Sequence, residues 1–298
     1  MRIAAAVSCA LAFGSPALAA PPGFHDAVAA SGAVLHYKLN ETSGFAKNSG
    51  SLGVAYDGEY GGSPTRGIAT QSGDEGVHFN TMADFMFTTP SAPAGLTGNP
   101  DFTAEAIFRL PTAGESAFFP PLLHWGGVGA GVAVYFALQG TWAQHPGNLP
   151  NKLMAGFYQG GLESEEFLYD VWYHYVWVRD SGGGTNNAVQ GTTVYLNGRE
   201  LELVADASLC CSTTIPNVAQ TIFTVNRAAD FATTRLFEGD LDELALYDRA
   251  LSGDEVRAHA AAAFLLPIPA TPTPLGPLLL AFALLLGSAL VAARRRLG

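Results

Sequence analysis

Between about residues 34 and 247 the chain alternates short apolar stretches with clusters of Gly, Pro, Asn and Ser. Within the stretches, side chains alternate with period two. In Tyr173-His174-Tyr175-Val176-Trp177-Val178, odd and even positions face opposite sides of an extended backbone. β-Branched and aromatic residues dominate. The pattern predicts strands over 34–40, 77–80, 84–88, 102–110, 122–125, 132–139, 152–158, 172–179, 193–196, 222–226 and 237–247. Asn197-Gly198, set between Tyr195-Leu196 and the stretch 200–203, is a strong two-residue hairpin signal. Many short strands separated by turn residues point to an all-β sandwich.

Helix is scarce. A short piece is expected over 24–30. A second opens at Ser252, where Glu255 three residues on completes a capping box ahead of the alanine-rich stretch 256–264. Pro267, Pro269, Pro272 and Pro274 then stop the helix and make a stiff, extended linker.

The two ends carry a different pattern. Arg2, an apolar stretch from Ile3 to Phe13 and Ala17-Leu18-Ala19 have the layout of a secretory signal peptide. Residues 275–293 hold no charge and are followed by Arg294-Arg295-Arg296. Nineteen helical residues span roughly 28 Å, about the hydrocarbon thickness of a bilayer, and the arginines favour a cytoplasmic C-terminus. The expected organisation is a signal peptide (1–20), one β-domain (21–266), a Pro-rich linker (267–274) and a transmembrane or sorting tail (275–298). The domain is expected to be exported across the inner membrane and held at, or sorted to, the cell surface.

Charge narrows the partners. Without Arg2 and the three tail arginines, 11 basic residues face 26 acidic ones, a net of −15. Such a domain repels nucleic-acid phosphates, so DNA and RNA are excluded as partners. Cys210 and Cys211 remain after export, in a compartment that permits disulfides. Because they are adjacent, two free thiols, bonds to other chains and a strained bridge all stay open.

Four segments resemble the laminin-G-like jelly-roll domains of the concanavalin A-like lectin/glucanase superfamily. They are His36 to Gly44 (HYKLNETSG), Phe102 to Arg109 (FTAEAIFR, with Ile107 where the pattern has tryptophan), Trp172 to Asp180 (WYHYVWVRD) with Val194 to Arg199 (VYLNGR), and Phe237 to Ser252 (FEGDLDELALYDRALS). The resemblance implies two packed antiparallel sheets. It also implies a structural calcium between the opening turn and the last strand, where the matching residues are Asn40, Glu41, Asn48 and Asp242. Calcium takes six to eight oxygens; the alternative role of Asp242 and Glu243 is to accept hydrogen bonds from turn amides. The tail resembles PEP-CTERM-type sorting tags, with Pro-Ile-Pro-Ala and Thr-Pro-Thr-Pro in place of Pro-Glu-Pro.

Catalytic signals are few. Some glucanases of the superfamily carry Glu-x-Asp-x-x-Glu on one strand, and Glu238, Asp240 and Glu243 match that spacing. On a regular strand Glu238, Asp240 and Asp242 share a face while Glu243 points away, and only a bulge would bring it round. No Gly-x-Ser-x-Gly elbow occurs, and Ser181-Gly182-Gly183-Gly184 lacks a phosphate-binding lysine. His124, His145 and His174 are scattered and read as structural. A sugar platform needs aromatic rings; of Trp125, Trp142, Tyr158 and Trp172, Trp142 is the one expected on a loop and outside the core. The sequence therefore points to a non-catalytic module at the cell envelope for glycan or protein ligands. A glucanase-type enzyme and a structural envelope or biofilm-matrix component are the alternatives.

Overall fold

The computed structural model describes residues 23–264, apart from 72, 82, 112–119, 140–151, 159, 206–212 and 229–236. The expected signal peptide, linker and apolar tail, together with Trp142, His145 and the Cys210-Cys211 pair, lie outside the described residues. Among those described, no helix is long and apolar enough to cross a membrane.

Two antiparallel sheets of eight strands each form the body. The first contains β1 (Leu35–Tyr37), β3 (Thr65–Ala69), β4 (Glu75–Phe79), β6 (Phe102–Arg109), β11 (Trp172–Arg179), β12 (Thr192–Leu196), β13 (Arg199–Glu200) and β16 (Gly239–Tyr247). The second contains β2 (Glu59–Gly61), β5 (Phe85–Ser91), β7 (Pro121–Gly126), β8 (Ala133–Gln139), β9 (Lys152–Phe157), β10 (Gly160–Glu166), β14 (Val204–Ala205) and β15 (Ile222–Val225). The first runs β13-β12-β11-β6-β16-β4-β3, with β1 also on β16; the second runs β14-β10-β9-β8-β7-β15-β5-β2.

Every strand expected from alternation is present. Those not expected, β2, β3, β10 and β14, sit at or next to sheet edges. An edge strand is paired on one side and wet on the other, so it needs no apolar alternation. Strand β3, for instance, leaves both its terminal residues exposed. At the hairpin, Asn197 (φ 52°) and Gly198 (φ 75°) take the left-handed conformations that a type I′ turn requires.

The inner faces interdigitate. Phe102 meets Trp177, Trp125 and Phe157 with ring centroids 4.8, 5.2 and 6.4 Å away, all edge-to-face. Phe136 stacks on Tyr175 at 4.2 Å. Trp125 is fully buried, and its indole N–H donates to the Leu96 carbonyl at 2.8 Å, which makes it a core residue.

The first sheet is buried on its outer face as well. Helices α1 (Phe24–Ala30) and α2 (Gly253–Phe264) lie there, over Ile107, Val176, Val178, Ala245 and Tyr247. The capping box of α2 forms: Ser252 N–H donates to Glu255 Oε2 (2.8 Å), and Glu255 N–H donates to Ser252 Oγ (3.3 Å). Alanines at 260, 261 and 263 let this helix sit close against the sheet.

Beneath the helices lies a fully buried carboxylate, Glu105. His174 Nε2 stands 2.6 Å from it and His259 Nδ1 3.0 Å, while the Tyr247 hydroxyl donates to it at 2.8 Å. Burial raises the Glu105 pKa, but the two imidazoles outweigh burial and hold it well below the usual 4.5. Burial lowers the His259 pKa, and the Glu105 charge and hydrogen bond leave it raised above 6.5. Glu105 therefore contributes stability present above pH ~4.5 and lost as acid protonates it. His259 contributes stability present below pH ~6.5 and lost as the pH climbs through its raised folded value. The contribution of this cluster to the melting temperature should accordingly be largest between about pH 4.5 and 6.5. Glu105→Gln should flatten the acid limb of that profile. Removing one partner of a buried pair costs about 3–5 kcal/mol, so Glu105→Ala should lower the melting temperature by roughly 6–20 °C in calorimetry.

Candidate functional site

Strand β16 changes neighbour halfway along. Gly239, Asp240 and Leu241 pair with Phe79, His78 and Val77 of β4, whereas Leu244, Ala245 and Leu246 pair with Tyr37, His36 and Leu35 of β1. At this junction the register against β6 shifts, from Leu241 opposite Phe108 to Glu243 opposite Ile107, so Asp242 is the extra residue of a β-bulge. The bulge departs from the regular strand expected from the sequence. It puts Asp240 and Glu243 on the outer face with Ala245 and Tyr247, while Leu241, Leu244 and Leu246 enter the core.

Both outward carboxylates are buried and partnered. Asp240 accepts from Arg109 Nε at 2.6 Å and lies 2.7 Å from His78 Nδ1. That hydrogen bond, more than the opposing effect of burial, raises the His78 pKa. Glu243 Oε2 lies 2.9 Å from His36 Nε2, whose Nδ1 is 3.1 Å from Ser49 Oγ. Glu243 Oε1 contacts His25 Nε2, and that same nitrogen lies 3.7 Å from Asp74 Oδ2. Burial, partly offset by His36, pushes the Glu243 carboxyl up to about 8. Burial and the nearby Lys38 charge lower the His25 imidazole below its usual value. A cavity of about 420 Å³ opens onto this group, lined by His25, Lys38, Gln71, Asp74, Glu243 and Phe264 among others.

The outer face of the second sheet is built differently, with no described helix packed on it. Across it, Glu59 and Thr224 flank Phe87, Thr224 stands opposite His124, His124 opposite Tyr135, and Tyr135 opposite Gly156. Phe85 and Phe87, two residues apart, place half-buried rings side by side with centroids 5.8 Å apart. The Arg227 guanidinium lies 4.6 Å over the Phe85 ring. Ile222, Thr224 and Ala228 complete a mainly apolar cavity of about 420 Å³. Gly61 on β2 sits against Phe85; a Cβ there would fall 2.3 Å from Phe85 Cζ, so a larger residue would have to displace the ring.

The residues singled out in the sequence are distributed unevenly over these features. Asn48 directs its amide at the main chain: Oδ1 accepts from His36 N–H and Gly50 N–H, both at 2.9 Å, and Nδ2 donates to the Gly53 carbonyl. Glu41 Oε1 accepts from Lys47 N–H at 2.8 Å, while Oε2 is shielded from solvent without a hydrogen-bond partner among the described residues. Asn40 is exposed in the opening turn, and Asp242 is fully buried at the bulge. Trp125 and Trp172 belong to buried clusters, Trp172 beneath the Arg109 guanidinium. Tyr158 is half-buried beside Tyr135. His174 and His124 are buried, as expected of structural histidines. The pattern of the chain did not single out Phe85 and Phe87 as a platform, nor His25, His36 and Asp74 as neighbours of Glu243. Residues 25, 36, 74 and 243 meet only through sheet topology and carry no common spacing.

A family model described as the concanavalin A-like lectin/glucanases superfamily (Laminin_G_3) matches residues 86–257. Among solved structures, domain 4 of the GH43 extracellular arabinanase AbnA from Geobacillus stearothermophilus, in complex with arabinotriose, is similar. Its TM-score is 0.50 at 18% identity, covering 76% of this chain and 98% of that one. Trypanosoma rangeli sialidase in complex with sialic acid gives a TM-score of 0.50 at 16% identity, over 81% of this chain and 34% of that one. The binding domain of Paraclostridial Mosquitocidal Protein 1 gives 0.50 at 11% identity, over 76% and 51%. At these identities the likeness concerns the fold. No curated protein matches the sequence.

Proposed function

We propose that this chain, which belongs to the concanavalin A-like lectin/glucanases superfamily, is a non-catalytic module that binds glycans on the outer face of its second sheet. The observation that carries the reading is the Phe85–Phe87 pair with Arg227 in an apolar cavity. Sugar rings present a face of C–H groups that packs on aromatic rings, and their hydroxyls take hydrogen bonds from a few convergent polar groups. Here Arg227, Thr224 and Glu59 stand beside the rings. Among the described residues, helices α1 and α2 cover the centre of the first sheet's outer face, over Ile107, Val176, Val178, Ala245 and Tyr247.

Hydrolysis is the second reading, favoured by the bulge that sets Asp240 and Glu243 on one face and by the raised Glu243 carboxyl. A retaining pair needs two carboxyls about 5 Å apart and open to the sugar. Asp240 is instead held by Arg109 and His78, and both carboxylates are buried. Arabino-oligosaccharides are the first probe, chosen for the arabinotriose held by the arabinanase domain. Titration calorimetry across a glycan panel should yield a binder whose affinity falls about tenfold or more in Phe87→Ala, the equivalent of ~1.4 kcal/mol. No reducing ends should be released. Sugar release that disappears in Glu243→Gln would establish the enzyme instead.

Display outside the cytoplasm is part of the same proposal. It rests on the charge-free run 275–293, its arginine flank and the N-terminal signal pattern. The tail acts as a membrane anchor or a PEP-CTERM-like sorting tag. Deleting residues 267–298 should move the protein from the membrane fraction to the soluble exported fraction. A truncated protein that still pellets with membranes would refute the anchor.

A structural calcium at the opening turn completes the reading, with Glu41 and Asp242 as carboxylate ligands and Asn40 beside them; Asn48, its carbonyl already accepting two hydrogen bonds, drops out of the set. Binding to the folded state alone stabilises by about 2.7 kcal/mol at a hundredfold excess over Kd. Calcium should therefore raise the melting temperature by several degrees, at roughly 2–4 °C per kcal/mol, and Glu41→Ala should remove the shift.

A further inference from the structure

We propose that the junction between β1 and β4 binds a divalent first-row transition cation, through His25 Nε2, Asp74 Oδ2 and Glu243 Oε1, with a further coordination position facing the adjoining cavity. The three donor atoms lie within 4.8 Å of one another, and His25 Nε2 stands 3.7 Å from Asp74 Oδ2. An ion about 2.0–2.2 Å from each donor holds its ligands some 3–3.5 Å apart. Asp74 has only to close slightly, and the His25–Glu243 contact opens to admit the ion.

The donors suit such a cation in type. One imidazole with two carboxylates is an N/O set for zinc, manganese or iron, whereas calcium prefers oxygen alone. The site has the support that metal ligands require. Glu243 is 2% exposed and its second oxygen is held by His36, which is itself set by Ser49. His25 and Asp74 side chains are 33% and 29% exposed, so an ion can enter from the cavity. Each element contributes one part: α1 brings His25, β1 brings the orienting His36, the turn before β4 brings Asp74, and the bulge aims Glu243. The site lies across the sandwich from the proposed glycan face and does not depend on it.

The test is zinc titrated into the chelator-stripped, full-length protein, followed by calorimetry and thermal melting. The expected result is one zinc per chain, with a melting temperature raised by several degrees at hundredfold excess over Kd. His25→Ala and Asp74→Ala should each weaken zinc binding at least tenfold while melting near the wild type without metal, because both side chains are partly exposed. Cobalt(II) should give the visible absorption of a low-coordinate N/O site in the wild type and lose it in His25→Ala. Calcium in place of zinc should produce no shift that depends on His25. Absence of a zinc-dependent shift, or zinc affinity unchanged in both variants, would overturn the proposal.

Discussion

Strand β16 buries all nine of its residues, and three of them are carboxylates. A charge taken out of water is tolerated only where a partner or a hydrogen bond replaces the water. Asp240 is answered by Arg109 on β6 and His78 on β4, and Glu243 by His36 on β1 and His25 on α1. These partners come from each strand paired with it and from helix α1. The pairing of β16 thus fixes where β1, β4, β6 and α1 stand, and the rest of the first sheet follows from it.

The same requirement explains the bulge. Without the extra residue at Asp242, Glu243 would point into the apolar core between the sheets. With it, the leucines at 241, 244 and 246 keep the interior, and the carboxylates share the helix-covered face with Glu105. That face carries a row of buried acids and imidazoles roofed by α1 and α2. The roof keeps water from the acids and leaves a cavity beside Glu243, His25 and Asp74.

The two outer faces are built differently. One is closed by helices and organised around charge. On the other, half-buried Phe85 and Phe87 line a cavity with Ile222, Thr224, Arg227 and Ala228, and glycine at 61 lies against the Phe85 ring. At the centre of that second face Ala133, Tyr135, Ala137, Met154 and Ala228 form a buried cluster of their own, and the Phe85–Phe87 cavity lies beside it.

Alternation of apolar and polar residues by itself determined the sandwich, its central strands and both helices, because period and capping are local properties that each segment carries alone. The capping box at Ser252 and the Asn197-Gly198 turn were legible for the same reason. Edge strands such as β2 and β3 were not, since one-sided pairing imposes no pattern. The family likeness was readable in the segment 237–252, but its site was not: a regular strand there would have turned Glu243 inward, and only the register of β16 against β6 decided otherwise. Likewise, Trp125 and Trp172 had the composition of a sugar platform yet lie in buried clusters, while Phe85 and Phe87 stand half-buried at a surface cavity. Which side of a strand meets solvent depends on what packs against its sheet. That choice, like the meeting of residues 25, 36, 74 and 243, is made by contacts between distant segments, and the tertiary structure alone decides it.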